Sequence, residues 1–144
     1  MKKRRHGFSL VELVVVIMIL GILAAVAAPK LLQTSGAATD NGLKQTLTVV
    51  RDAIELFAAD HGGALPGADG SAATLKTDLA PYLRGTFPEC PVGAKDADVK
   101  MSSGATALAG AASPTEAWHY NYTTGEFIVN YTEDANDGTP YDDL

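Results

Sequence analysis

One carboxylate stands inside an otherwise apolar stretch near the start of the chain. Almost every residue in positions 8–28 is apolar, and Glu12 lies near the beginning of this stretch. A lone carboxylate in a lipid-like environment costs roughly 3 kcal/mol or more unless a partner neutralises it. Glu12 is therefore the first candidate for a functional residue, because a charge in this position needs a positive or hydrogen-bonding partner.

Four interpretations of the N-terminal segment compete. A secretory signal peptide fits the basic residues 2–5 and the small residues 25–27, but the apolar stretch is long for one and Glu12 has no purpose there. A twin-arginine export signal fits poorly, because the arginine pair is badly spaced from Phe8. A plain transmembrane anchor explains a stretch of about 21 residues, about 30 Å as a helix, but it does not explain Glu12.

The fourth interpretation accounts for the whole segment. The run Lys-Lys-Arg-Arg-His-Gly-Phe-Ser-Leu-Val-Glu, which ends at Glu12, resembles the N-terminus of type IV pilins and type II secretion pseudopilins. In that family a membrane-embedded prepilin peptidase cuts after the Gly of a basic leader and methylates the new N-terminal residue. The resemblance implies a cut between Gly7 and Phe8, which leaves Glu12 where the family carries its Glu. Gly21 and Pro29 stand where family members have a helix-loosening Gly and a Pro.

The resemblance gives Glu12 a role in assembly. Cleavage creates an α-amine on Phe8, which we expect not to reach Glu12 easily in the same straight helix, because a full turn separates them. A neighbouring subunit, shifted along a filament, is implied to present its Phe8 amine instead. Pro29 removes a helical hydrogen bond and, with Gly21, predicts a kink or a locally opened stretch. The alternative is that Pro29 only marks the end of the membrane helix.

Other residues with reactive side chains form no catalytic constellation in the sequence. His6, His61 and His119 have no second ligand at zinc spacing, and Cys90 is the single cysteine. The sequence contains neither a nucleophile signature nor a phosphate-binding glycine loop. We therefore expect a protein that is not an enzyme.

An acidic tail is the remaining candidate site. Major pseudopilins of type II secretion bind calcium in a C-terminal loop, so the resemblance makes Glu133, Asp134 and Asp137 possible calcium ligands. Their spacing does not match the family loop clearly, and a solvated acidic tail explains them more simply. Calcium is the one cofactor that the sequence raises.

Hydrophobic periodicity predicts the elements that position these residues. Leu43, Leu47, Val50, Ile54 and Phe57 recur at steps of four and three, which predicts an amphipathic helix that ends near His61. Asp40 and Lys44 are assigned to its polar face as an i, i+4 pair. Residues 73–83 predict a short helix, and residues 118–122 and 127–131 predict a hairpin, with a weak strand near residues 99–101.

The predicted fold class is α+β. A long N-terminal helix, half membrane-spanning and half amphipathic, is expected to pack against a small C-terminal antiparallel β-hairpin or sheet. The predicted segments are a basic leader (residues 1–7), a transmembrane and filament-core helix (8–29), an amphipathic helix (30–62) and a globular pilin-like domain (63–144) with loops, a short helix and the hairpin.

Charge and resemblance together define the expected function. The net charge of −6 belongs mainly to the part after the apolar stretch, which would repel nucleic acid, whereas the basic leader favours the cytoplasmic side of a membrane. The chain is interpreted as a pseudopilin of a type II secretion system, anchored in the bacterial inner membrane with its C-terminal domain outside. Implied partners are membrane lipid, other pseudopilins, prepilin peptidase and the inner-membrane assembly platform. A type IV pilus subunit and a bitopic membrane-anchored binding domain are the alternatives.

Overall fold

The structure, a computed structural model, describes residues 8–144 except for the side chains of Leu32 and Gln33. The predicted leader, residues 1–7, lies outside the described residues. The elements in chain order are α1 (Leu10–Asp60), α2 (Ala72–Leu79), β1 (Val99–Ser102), β2 (Trp118–Asn121), β3 (Phe127–Val129) and a 3₁₀ turn (Tyr141–Asp143). The chain divides into two compact units, one up to Ser35 and one from Gly36 to Leu144, and α1 runs through both. The predicted α+β class is confirmed.

The first unit consists of the apolar beginning of α1. By length and composition this helix can cross a membrane, because its most apolar window has a mean hydropathy of 3.0 and none of that window is buried. Pro29 lies inside α1, which continues to Asp60, so the proline does not end the helix. The predicted kink and the segment boundary at residues 29 and 30 remain predictions.

The second unit is built on the amphipathic stripe of α1. Leu43, Leu47, Val50, Ile54 and Phe57 are all buried, which confirms the predicted core face. The helix ends at Asp60, where the N–H of Gly63 donates to the carbonyl of Ala58 at 2.7 Å. Gly62 and Gly63 both have positive φ, which a side chain would disfavour, so the predicted glycine stop is confirmed.

A β2–β3 hairpin supplies the opposing side of the core. The two strands pair antiparallel, with Trp118 opposite Val129 and Tyr120 opposite Phe127. Asn121 shapes the turn, because its Oδ1 accepts the N–H groups of Thr123 and Thr124. The hairpin aromatics and the stripe of α1 form a single hydrophobic cluster, as the alternating pattern predicted.

The sheet differs from the prediction in one respect. The segment predicted as a weak strand forms β1, which pairs parallel with β2, Val99 lying opposite Trp118. The sheet is therefore mixed and has the order β1-β2-β3, rather than being purely antiparallel. A parallel pair needs a long crossover, which residues 103–117 provide. This stretch is rich in small residues and has no periodicity from which the pairing could be predicted.

Gly36 and Gly42 form a natural pair for testing how closely the loop of residues 133–141 approaches α1. A Cβ at Gly36 would lie 2.5 Å from the Nδ2 of Asn136, whereas a Cβ at Gly42 would meet nothing within 4 Å. We expect Gly42→Ala to raise the free energy of unfolding by about 0.5–1 kcal/mol through helix propensity. Gly36→Ala should give no gain or a loss, because the methyl group displaces Asn136.

Denaturant unfolding of the full chain in detergent, followed by the fluorescence of Trp118, measures both variants. Trp118 suits this purpose because it is fully buried and is the single tryptophan. An equal stabilisation by the two alanines would contradict the close approach.

Candidate functional site

The start of α1 holds the Glu12 carboxylate against its own backbone. Ser9 directly precedes α1, and its N–H donates to the Oε2 of Glu12 at 2.9 Å. The Ser-x-x-Glu spacing is that of a capping box, in which the third helical residue reaches back to the residue before the helix. This pattern was present in the sequence and could have indicated the contact. Glu12 therefore contacts the backbone N–H of Ser9, and whether the Phe8 amine reaches Glu12 within one helix stays a prediction.

Apolar side chains surround this carboxylate on the helix surface. Phe8, Val11, Val15 and Val16 line a groove beside Glu12. Phe8 is 79% exposed and Val15 is 42% exposed, so the groove is surface and not core. The arrangement offers a second protein or a lipid phase an apolar face that carries one acid.

The other N-terminal candidates are placed differently. Gly7, the predicted cleavage residue, lies outside the described residues, while Phe8 lies at their beginning. A Cβ at Gly21 would meet nothing within 4 Å, so its surroundings in this chain do not require glycine. The processing role of Gly7 and Phe8, the assembly role of Glu12 and the helix-loosening role of Gly21 and Pro29 remain predictions.

A second carboxylate, Asp40, anchors the loop of residues 133–141 to α1. The backbone N–H and the Nδ2 of Asn136 donate to Oδ2 of Asp40, at 2.9 and 2.7 Å, and the Tyr141 hydroxyl donates to Oδ1 at 2.8 Å. Asp40 is 5% exposed. Its assignment to the polar face of the helix was therefore wrong, because its partners lie about a hundred residues away and no local pattern indicates them.

These contacts alter the acidity of the groups involved. Burial alone would raise the pKa of Asp40, but the hydrogen bonds from Asn136 and Tyr141 outweigh burial and the pKa is lowered. For Tyr141, burial and then the hydrogen bond to Asp40 raise the pKa to about 12. Asp40 thus binds the loop as an anion, and Tyr141, within the loop, donates to Asp40 as a neutral phenol.

Lys44 holds the same loop from one turn further along α1. Its Nζ lies 2.8 Å from the Oδ2 of Asp137, and both side chains are roughly half exposed. The hydrogen bond from Lys44, with a further one from the N–H of Thr139, lowers the pKa of Asp137 to about 2. Among residues 8–144, no three His, Cys, Asp or Glu side chains form a group that could hold a metal ion. Glu133, Asp134 and Asp137 thus do not form such a group, and calcium binding by them stays a prediction.

The histidines and the cysteine of the described region have structural surroundings. His119 is buried, with Nε2 2.7 Å from the Ser102 hydroxyl and Nδ1 3.1 Å from the Ala109 carbonyl, and burial lowers its pKa. The ring of His61 stacks on Phe57 at 3.9 Å. Burial raises the pKa of Cys90 to about 11, which suppresses its thiolate. These environments fit packing roles.

Comparisons with known proteins identify the N-terminal motif and the family of the chain. The prokaryotic N-terminal methylation motif matches residues 2–28. Competence protein ComGC of Halalkalibacterium halodurans is 32% identical over 66% of this chain and 88% of its own length. The type IV major fimbrial protein FimA of Dichelobacter nodosus is 33% identical over 82% of this chain and 83% of its own. The chain belongs to the type IV pilin-like family.

Another relative and the family as a whole indicate whether the chain is a structural subunit or an enzyme. The type II secretion system core protein G of Dickeya chrysanthemi is 26% identical over 62% of this chain and 58% of its own length. No solved structure matches the chain. Members of the family are structural pilin or pseudopilin subunits, so this pilin-like protein is a membrane-anchored filament subunit and not an enzyme.

Acid should release the 133–141 loop of this pilin-like domain. Asp40 and Asp137 have folded-state pKa values below their ordinary values. Their contribution to stability is therefore present above their ordinary pKa of about 4 and declines as the pH falls below it, for Asp137 towards about 2. We expect Asp40→Asn to lower the free energy of unfolding at neutral pH by about 1–3 kcal/mol, because the charged acceptor is lost.

Thermal unfolding of the full chain in detergent from neutral to acid pH measures this dependence. Asp69, whose pKa is also lowered, by hydrogen bonds from Thr74 and Ser71, supplies a background in every variant. The double variant Asp40→Asn, Asp137→Asn should therefore have a shallower pH profile than the wild type. Identical profiles would show that the loop carboxylates do not govern the acid response.

Proposed function

We propose that the chain is a pseudopilin of a type II secretion system. Prepilin peptidase removes residues 1–7 and methylates Phe8, and the apolar part of α1 then spans the inner membrane. The basic leader supports a cytoplasmic N-terminus, because Lys and Arg favour that side, and the domain from Gly36 onward then lies on the periplasmic side. Subunits leave the membrane and stack their apolar helices into a filament. The inner-membrane assembly platform and other pseudopilins are the partners in this step.

The single observation that carries the proposal is Glu12 in the exposed apolar face of α1. The carboxylate accepts the Ser9 N–H and has apolar neighbours on its helix, so its negative charge has no local cation among the described residues. Cleavage after Gly7 supplies such a cation as the Phe8 amine. In a filament, the amine of a neighbouring subunit supplies it across the interface, which couples maturation to assembly.

The choice of type II secretion rests on the absence of a disulfide within the chain. The sequence has one cysteine, Cys90, so no disulfide within the chain closes its C-terminal region. The similarity to core protein G points in the same direction. A type IV pilus subunit is the second candidate, because the similarity to FimA extends over more of the chain. Neighbouring genes for a secretion ATPase and a secretin would favour the first, and a retraction ATPase gene would favour the second.

The mature N-terminus tests the processing step. When the chain is co-expressed with a prepilin peptidase, mass spectrometry should find a protein that begins with an N-methylated Phe8. A substitution of Gly7 by a bulky residue should leave residues 1–7 attached and serves as the matched control. A wild-type chain that keeps its leader would indicate an ordinary bitopic anchor, and a chain that begins at Pro29 would indicate a cleaved signal peptide.

Substitutions of Glu12 separate its charge from its capping role. Glu12→Leu removes both, whereas Glu12→Gln keeps an oxygen that can accept the Ser9 N–H but carries no charge. Because each 1.4 kcal/mol corresponds to a factor of ten, a lost ion pair of a few kcal/mol should lower filament incorporation by about tenfold or more in both variants. Both variants should still insert into the membrane.

Filament yield in sheared fractions and chain content of the membrane fraction are the two measurements. A Glu12→Gln variant that assembles as well as the wild type, while Glu12→Leu does not, would assign Glu12 to helix capping alone. Normal assembly of both variants would remove Glu12 from the mechanism.

A further inference from the structure

The loop of residues 133–141 is closed by contacts of its own backbone before it meets α1. The N–H of Tyr141 donates to the carbonyl of Glu133 at 2.9 Å, and the N–H of Ala135 donates to the carbonyl of Thr139 at 2.8 Å. Asp134 and Pro140 form an isolated antiparallel bridge within it. The result is a small closed loop whose position on the domain depends on the side chains that connect it to α1.

The two carboxylates that hold this loop on α1 already have hydrogen-bonding partners within the protein. Both carboxylate oxygens of Asp40 accept hydrogen bonds from the loop. In Asp137, Oδ2 accepts from the Lys44 ammonium at 2.8 Å and Oδ1 accepts from the Thr139 N–H at 3.0 Å. Calcium takes six to eight oxygen ligands. Among the described residues, Glu133, Asp134 and Asp137 form no group of three such side chains, so the donor set of this loop does not fit the calcium that is implied by resemblance to the major pseudopilins.

The protein itself places a cation, the Lys44 ammonium, among these acids. Asp40, Lys44, Asn136 and Asp137 all line one cavity of about 200 Å³ between α1 and the loop. The negative charge of Asp137 disfavours a second negative charge on Asp40. Lys44 lies one helical turn after Asp40, so its ammonium is positioned to offset this repulsion.

We propose that the Lys44 ammonium takes the part of a divalent cation in this protein and closes the 133–141 loop on α1 without metal. Asp40 supplies the buried anchor, and Lys44 compensates the charge of Asp137 at the rim. The subunit then keeps its loop ordered at any calcium concentration. This inference concerns the single, unassembled subunit. It does not depend on which filament the subunit joins.

Hydrogen exchange of the loop tests the proposal, because local opening is detected even where global stability hardly changes. The full chain in detergent is compared in excess EGTA and in millimolar CaCl₂, and a peptide covering residues 133–141 is followed by mass spectrometry. The wild-type exchange rate should be the same in both conditions. Lys44→Gln should raise that rate by about two- to fivefold, the range that an exposed ion pair allows, and Lys44→Arg should restore it.

Lys76→Gln is the matched control. Lys76 forms the other ion pair of the described region, at 3.2 Å from Asp98, and its removal should leave the exchange of the 133–141 loop unchanged. The buried Trp118 reports whether each variant is folded. Calcium-dependent protection of the wild-type loop would overturn the proposal, and so would a folded Lys44→Gln variant with wild-type exchange. The wild-type comparison stands even if a variant fails to fold.

Discussion

The apolar surface at the beginning of α1 is the constraint on which the rest of the molecule depends. Its side chains from Phe8 to Leu23 are exposed, and most of them are large and aliphatic or aromatic. Removing each of them from water is worth about 1.5–3 kcal/mol, so the total far exceeds the stability of an ordinary domain. Such a helix cannot persist alone in water. A lipid bilayer satisfies it, and in the proposed filament a bundle of identical helices does the same.

Glu12 limits how those two surroundings can be used. A helix that was apolar throughout would stay in lipid, because its transfer into a bundle of equally apolar helices would release little free energy. In the proposed function, one acid near the helix start changes this balance, because a bundle would supply the Phe8 amine of a neighbouring subunit, whereas the hydrocarbon core of the bilayer offers no amine. On this proposal, the same acid that is costly in the membrane favours leaving it and aligns the subunits that assemble.

Residues from Gly36 onward use the same helix for a different purpose. The stripe from Leu43 to Phe57 is covered by the chain itself, through the hairpin aromatics. Asp40 marks the beginning of this covered region, and its three hydrogen bonds hold the 133–141 loop there. The helix therefore needs no partner along this face, because the buried core and the anchored loop cover it within one chain.

Features that depend on local periodicity were predictable from the sequence. The stripe of α1, its stop at Gly62 and Gly63, and the hairpin around Asn121 each depend on residues close together in the chain. The parallel pairing of β1 and the contacts of Asp40 were not predictable in this way. Both join residues separated by a long stretch, and an i, i+4 rule for Asp40 and Lys44 considers only the helix to which they belong.

The contact between Ser9 and Glu12 was not predicted, although it is local and the Ser-x-x-Glu pattern in the sequence indicates it. The capping contact uses one N–H donor, whereas a carboxylate offers about four acceptor positions on its two oxygens. Glu12 can therefore keep its bond to Ser9 and still accept an ammonium from outside the helix. Capping and pairing between subunits do not compete for the same lone pair, so the subunit need not unwind the start of α1 in order to be joined.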